Sequence, residues 1–261
     1  MKRKENEFDA CHHVLPKRPG SSFSSHIKTC ALTHNGLARE NNEDRYLINK
    51  MDDGYVLLAV ADGMGGEVAG EQAAEMTMKK LACMQPGTMD MEGHLAFLTK
   101  DADAAIITEV EKNALLEGMG TTVTSVLLGH GIAHWVHVGD SRLYILRDRK
   151  LTQVTKDQSM VQFLLDEGEI TEEEAGSHHS RKFLDQCVGC GDCIPETGHF
   201  EIESKDIIVL TTDGLNGKVT NKVIRALLTS KMTIQTKADS LIQTALNANG
   251  KDDITVVIAE I

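Results

Sequence analysis

Apolar residues along this chain fall into two patterns that alternate: short uninterrupted runs, and stripes at helical spacing. Tyr55–Ala61 (YVLLAVA) is an apolar run that stops at Asp62-Gly63. A run this short, bounded by turn residues, predicts a strand buried on both faces. Glu67–Met84 carries Ala69, Ala73, Met76 (or Thr77), Lys80 and Leu81 at helical spacing, which predicts an amphipathic helix. A second long helix is expected over 93–117, ended by Gly118. Thr121–Leu128, Ile132–Val138, Leu143–Arg147 and Leu151–Thr155 are β-branched or alternating and joined by short Gly- or Asp-rich turns, the pattern of an antiparallel meander. Residues 157–186 are polar, with a helix expected at 158–167. Ile207–Thr212 and Thr255–Ile261 are again strands, with helices at 219–230 and 234–248 between them. Strands in runs and helices in pairs predict an α+β fold, antiparallel sheets covered by helices.

Length and composition fit one globular unit. A chain of 261 residues with 41% hydrophobic and 25% charged residues favours one large core over two small ones. Residues 1–25 mix charge, two prolines and Ser21-Ser22-Phe23-Ser24-Ser25, and read as a mobile N-terminal extension before a single domain over 26–261. Residues 1–20 hold five Lys/Arg and three Asp/Glu, a net +2, so the remainder carries −14 of the total of −12. That balance argues against nucleic acid or an anionic membrane as partner. No stretch approaches the roughly 20 apolar residues of a membrane span, and no apolar segment follows the basic start as in a secretory signal. Six cysteines do not resemble a disulfide framework, so the reducing cytoplasm is the expected location.

The acidic excess has a particular placement. Asp62, Asp140, Asp213 and Asp252 each stand where an apolar strand meets a turn, and Glu43-Asp44 lie just before the strand-like Arg45–Ile48. An Asp-Gly turn after a strand is ordinary turn chemistry, so each residue alone says little. Their repetition at strand ends says more, because carboxylates converging at low dielectric repel one another. A hard divalent cation with oxygen ligands, Mg²⁺ or Mn²⁺, relieves that repulsion. Asp62-Gly63-Met64-Gly65-Gly66 puts one carboxylate on a loop of small residues leading into a helix, where a backbone carbonyl or a ligand can approach closely.

Arg39-Glu40-Asn41-Asn42-Glu43-Asp44, Asp62-Gly63-Met64-Gly65-Gly66, Gly120-Thr121-Thr122, Gly139-Asp140-Ser141-Arg142, Thr212-Asp213-Gly214 and Asp252-Asp253-Ile254-Thr255 follow one another over residues 27–261. This ordered set resembles the metal-dependent protein phosphatase 2C family, and its bacterial branch in particular. The resemblance implies a four-layer αββα sandwich, two central antiparallel sheets flanked by helices. It implies protein phosphoserine and phosphothreonine as substrates, hydrolysed by in-line attack of a metal-bridging water. It also implies a signal-transduction enzyme whose partners include a serine/threonine kinase and its substrates; a cytoplasmic monomer is the expectation.

Carried over by position, Asp62 bridges two Mn²⁺ or Mg²⁺ ions with the Gly63 carbonyl on one of them, and Asp213 and Asp252 complete the ligands. Asp44, or its neighbour Glu43, holds metal-bound water. Asp140, with Asp213, contributes to a third, weaker metal position, and Arg39 grips the substrate phosphate. Such a site is chemically coherent: two cations lower the pKa of a shared water and clamp the reacting oxygens, while an Arg fork matches phosphate. Three positions depart from the family pattern. Met64 stands where many eukaryotic members have a His proposed as the acid, Asp253 stands where Asn is usual, and Asp157-Gln158-Ser159 replaces the frequent Asp-His-Ser.

Other features carry less. Cys187-x-x-Cys190-x-x-Cys193 has the spacing of part of a zinc or iron–sulfur site, for which His199 or His178-His179 could be a fourth ligand. The competing readings are redox sensitivity and, first, incidental cysteines, since the family has an ordinary strand there. His134 and His137 lie on opposite faces of one strand and cannot chelate together. Glu172-Glu173-Glu174 reads as a solvated helix start within the segment that resembles the family's flap. An active phosphatase is favoured over a non-catalytic phosphoprotein-binding relative, because Asp62, Asp213, Asp252 and Arg39 are all present.

Overall fold

The apolar run that ends at Asp62 forms a strand because it finds apolar partners on both sides. In the computed structural model, which describes residues 27–65, 69–87, 90–176 and 178–261, Val56–Ala61 is buried at every position. Leu57, Ala59 and Ala61 enter one core, while Val56 (with Leu58 and Val60) enters another, as a side-chain period of two requires. The extension expected over 1–25 lies outside the described residues.

The chain runs β1 (Lys28–His34), β2 (Arg45–Lys50), β3 (Val56–Ala61), β4 (Gly63–Met64), α1 (Ala69–Leu81), α2 (Met91–Lys112), β5 (Gly120–Thr121), β6 (Val123–Gly129), β7 (Ile132–Val138), β8 (Arg142–Arg147) and β9 (Lys150–Gln153). It continues through α3 (Met160–Asp166), α4 (Glu172–Ala175), β10 (Glu196–Glu201), β11 (Ile207–Thr211), α5 (Asp213–Asn216), α6 (Asn221–Leu228), α7 (Ile234–Asn247) and β12 (Ile254–Glu260). One five-stranded sheet has the order β1-β12-β11-β8-β9 and the other β10-β7-β6-β3-β2. All their pairings are antiparallel.

Three cores stack between four layers. Val209, Val256 and Ile258 pack with Ile224, Leu228, Leu241 and Ile242 of α6 and α7. Ile208, Leu210 and Val257, from alternate positions of the same strands, meet Leu58, Val60 and Val126 of the other sheet. That sheet's far face packs on Ala73, Met78 and Leu81 of α1 and Leu95, Leu98 and Ile106 of α2. The αββα sandwich implied by the sequence is therefore present. Each helix pair buries one apolar stripe, and the inter-sheet layer buries both inner faces.

Some boundaries differ from the expectation. The second helix leaves the α-conformation at Asn113 rather than running to residue 117, and Asn113 caps a following 3-10 turn by accepting from the Leu115 amide at 3.1 Å. An Asn side chain competes well for local backbone groups, which favours such an exit. The strands β1 and β10 were not separately legible, being sheet edges of mixed polarity. Gly63-Met64, expected as loop, pairs with Gly120-Thr121 in a small ribbon. The acidic run 172–174 does open a helix, α4, through a capping box between Thr171 and Glu174.

Register alone gathers the strand-end acids. Arg45 pairs with Ala61, Val60 with Thr124, and Val123 with Val138. Asp44, Asp62 and Asp140 therefore leave one sheet at the same end. In the other sheet Thr211 pairs with both Arg142 and Val256, and His34 pairs with Ile254. Asp213, Asp252 and the segment leading to Arg39 thus emerge beside them.

Candidate metal centre

The end of β3 is held by hydroxyls. The Asp62 carbonyl accepts from Thr121 Oγ1 at 2.8 Å and from the Thr122 amide at 2.9 Å, and the Asp62 amide donates to Thr122 Oγ1 at 3.1 Å. Gly63 then passes close to the start of α1: a Cβ there would stand 2.2 Å from the Gly70 carbonyl oxygen, so no side chain fits. On the other sheet the Thr212 hydroxyl takes the Thr255 amide at 2.9 Å and donates to Asp44 Oδ2 at 2.8 Å. Thr212 therefore ties the two sheets together at the carboxylates.

Electrostatics there is unfavourable without a cation. Burial raises the Asp62 carboxyl well above the usual range, and Asp44, Asp213, Asp140 and Asp252 push it further the same way. Asp213 is raised by burial and by Asp252, partly offset by a hydrogen bond with Asp62 and by Arg181 and Lys182. Asp44 and Asp140 are raised chiefly by burial, Asp140 also by Asp213. Burial raises Glu43 too, and Arg39 opposes it. Asp253 is pushed up to about 6 by burial.

Three acidic oxygens in this region have no hydrogen-bond partner although buried: Glu43 Oε1, Asp44 Oδ1 and Asp253 Oδ1. Their residues are only 6%, 2% and 3% exposed. An orphaned buried carboxylate oxygen costs free energy unless something positive meets it. The donor set is all oxygen, which suits Mg²⁺ or Mn²⁺ and not zinc. Among the described residues no three Asp, Glu, His or Cys stand so that they could hold a metal ion by themselves. That is compatible with ions of this kind, which keep several water ligands and take few protein ligands each. On these grounds the residues fit divalent cations.

Every position expected from the sequence reaches this end of the sandwich. Arg39, half-exposed, donates to Asp252 Oδ1 through Nε at 2.9 Å and Nη2 at 2.6 Å, with Glu43 Oε2 at 3.5 Å from Nη1. Asp253 accepts from the Glu43 amide at 2.8 Å, so it holds a backbone in place. Sequence reasoning missed the supporting shell. Thr212, Thr121 and Thr122 give only the signal of β-branched residues at strand ends. Asp157 forks Arg142 at 2.8 and 2.6 Å, and Gln158 holds the Gly139 backbone through Oε1 at 2.8 Å and through its own amide at 2.7 Å. The departure at 157–159 thus fixes the turn that presents Asp140. A cavity of about 490 Å³ opens beside Asp140 and Asp213, bordered by Gln162, Glu172 and Arg181 of the 157–186 segment.

The histidines stay outside. His137 is buried between Thr124 Oγ1 at 2.8 Å and the Lys156 carbonyl at 3.1 Å, and burial lowers it to about 4. His134, on the opposite face, and His199 both meet Glu92 Oε1, at 3.1 and 2.6 Å. His199 is thereby committed away from the cysteines, and His178 accepts from the Ser180 amide at 3.2 Å. Neither a metal site nor the first reading, incidental cysteines, describes Cys187 and Cys190, which form a disulfide; Cys193 is a buried thiol.

With this geometry in hand, the sequence profile of Protein phosphatase 2C matches residues 34–249. The chain belongs to the protein phosphatase 2C family. It is similar to the serine/threonine protein phosphatase PstP of Mycobacterium tuberculosis, 39% identical over 238 residues, covering 90% of this chain and 45% of that protein. It thus spans less than half the length of that curated relative. A putative protein phosphatase 2C-type protein of Streptococcus pyogenes is 35% identical over 239 residues, 89% of this chain and 96% of that one. The crystal structure of the PstP catalytic domain in complex with two manganese ions superimposes with a TM-score of 0.82 at 37% identity, covering 90% of this chain and 97% of that one. Among the described residues, no helix is long and apolar enough to cross a membrane.

Proposed function

We propose that residues 26–261 form a single catalytic domain that hydrolyses phosphoserine and phosphothreonine esters of proteins, preceded by an N-terminal extension over 1–25. The observation that carries this reading is the gathering of mutually repelling carboxylates at one end of the sandwich, with orphaned buried oxygens on Glu43, Asp44 and Asp253, next to Arg39. Asp62, Asp213, Asp252 and the Gly63 carbonyl would hold two Mn²⁺ or Mg²⁺ ions, and Asp140 with Asp213 a third, weaker one. Bound ions would supply charge neutralisation and a water acidic enough to lose a proton and so become a nucleophile toward phosphorus.

The chain's own groups do the rest. Asp44 and Glu43 orient water through their free oxygens. Arg39 swings from Asp252 to fork the phosphate oxygens, since a guanidinium matches them bidentately. Met64, half-buried in the ribbon opposite Gly120, has no acidic proton, so a water held at the metal centre would have to protonate the leaving oxygen. The domain acts as a cytoplasmic monomer on phosphoproteins, among them a serine/threonine kinase and its substrates. A net charge of −12 gives nucleic acid and anionic membrane no hold on it.

The test is hydrolysis of a phosphothreonine peptide with Mn²⁺, with EDTA, and with Asp213→Asn. Turnover should need the metal and fall about 100-fold or more in the variant, since even groups one step removed from a metal cost 10–100-fold. Folded, Mn²⁺-loaded wild type without turnover would replace this reading with a phosphoprotein-binding one.

A further inference from the structure

The cysteine run takes no part in the metal centre, yet it leans on the strand end that carries Asp62. Cys187 and Cys190 are joined, their Cα atoms 5.6 Å apart, a span that a disulfide accepts readily. Between them Val188 is fully buried and makes a two-way backbone bridge with Thr121, donating at 2.8 Å and accepting at 2.9 Å. Thr121 is the residue whose hydroxyl holds the Asp62 carbonyl, and it pairs in register with Gly63. The two sulfurs lie over Gly120, where a Cβ would come within 3.3 Å of Cys190 Sγ and 3.6 Å of Cys187 Sγ. On its other side the loop is pinned to α2: the Gly189 amide donates to Asp103 Oδ1 at 2.6 Å. Gly189 has φ +96, and a Cβ there would strike Ile106 Cγ2 at 2.4 Å.

We propose that Cys187 and Cys190 form a reversible dithiol–disulfide site whose state sets how firmly the Asp62–Gly63 strand end is held. The co-reactant is a low-molecular-weight disulfide. Cys190 is exposed and Cys187 is not, which orders the steps. The Cys190 thiolate attacks one sulfur of the external disulfide, forming a mixed disulfide and releasing one thiolate. The Cys187 thiolate then attacks Cys190 Sγ, closing the internal bond and releasing the second thiolate. Two protein thiols lose two electrons and two protons, and one small disulfide becomes two thiols. Cys193 stays out of the exchange because it packs in the α1–α2 core, where burial pushes its thiol up to about 12. Closed, the ring keeps Val188 on Thr121. Open, the bridge keeps its two hydrogen bonds, the buried Val188 side chain and the Gly189–Asp103 contact, but loses the covalent closure of the loop. In a reducing compartment a disulfide of this kind is a sensor, not a staple.

The experiment equilibrates the full chain in defined ratios of reduced to oxidised glutathione. Differential alkylation reads the pair, amide exchange reads Thr121 and Val188, and titration reads Mn²⁺ affinity. On oxidation, exchange at both amides should slow about tenfold, and Mn²⁺ should bind about fivefold tighter. Both differences should vanish in Cys187→Ser/Cys190→Ser and in Cys190→Ser alone, whose side chain is exposed, and persist in Cys193→Ser. Alkylation that shows conversion without a change in exchange overturns the proposal. So does a pair that never oxidises, or a response that survives in the serine variants. The proposal goes beyond the catalytic reading: protein that keeps the exchange difference but hydrolyses no phosphopeptide upholds the switch and retires the phosphatase.

Discussion

The layer between the two sheets and the carboxylate end of the sandwich are built from the same strands under opposite rules. Val56, Leu58 and Val60 meet Ile208, Leu210 and Val257 with apolar contacts throughout. Two residues beyond Val60, Asp62 is half-buried, and Asp44, Asp213, Asp140 and Asp252 all push its pKa up. The first region gains free energy from every side chain it buries. The second is unfavourable until a cation arrives, and the first offsets what it costs. Stability and function are thus separated by a single turn of backbone at the end of β3.

Replacing Asp62 by Asn sharpens the contrast most. Phosphopeptide turnover with Mn²⁺ should fall by about 1,000-fold, roughly 4 kcal/mol of transition-state stabilisation. In EDTA at pH 8 the same variant should gain roughly 1–2 kcal/mol in urea unfolding, because one buried like charge is gone. A variant less stable than wild type in EDTA would mean that the carboxylates are not repelling.

Leu58→Ala works on the other region. It should cost about 3 kcal/mol of unfolding free energy through the cavity it leaves, with kcat of the folded protein in Mn²⁺ unchanged. A large fall in kcat would show that core and site are not independent.

His137 gives a smaller effect that depends on pH. Its folded pKa of about 4 lies below the ordinary 6.5, so the unfolded chain takes up the proton first as pH falls. The folded state is favoured above pH 6.5 and loses that advantage between 6.5 and 4, by at most about 3 kcal/mol. Chemical unfolding of wild type and His137→Asn across that range should differ in slope. Parallel curves would contradict the assigned burial.

How much of this was legible beforehand follows from the same division. YVLLAVA announced a strand buried on both faces, and IIVLTT a strand, because composition reports burial directly. The acids at their ends stood out only together, because one Asp after a strand is ordinary turn chemistry while its repetition at several strand ends is not. The threonines that hold Asp62 and Asp44 stood within the motifs that carried the resemblance, but their roles were invisible, since Thr212 and Thr121 read as ordinary strand formers. Gln158 acts through a backbone contact with Gly139, 19 residues away, that no local pattern encodes. The edge strand β10 (ETGHFE) alternates too weakly to separate from a loop. The spacing of Cys187 and Cys190 was visible, but the bridge that sets their loop against Thr121, far away in the chain, was not.

The most direct test of the central claim is calorimetric titration of Mn²⁺ into metal-free protein, in buffers of different ionisation enthalpy, with the thermal transition followed alongside. The raised carboxyl pKa values mean that the metal-free folded state holds extra protons, favouring it at low pH and losing that contribution as pH rises through them. Mn²⁺ should therefore release protons on binding. At 100 times its Kd it should stabilise the fold by about 2.7 kcal/mol. Binding with no proton release, or a transition that Mn²⁺ leaves unmoved, would contradict the account.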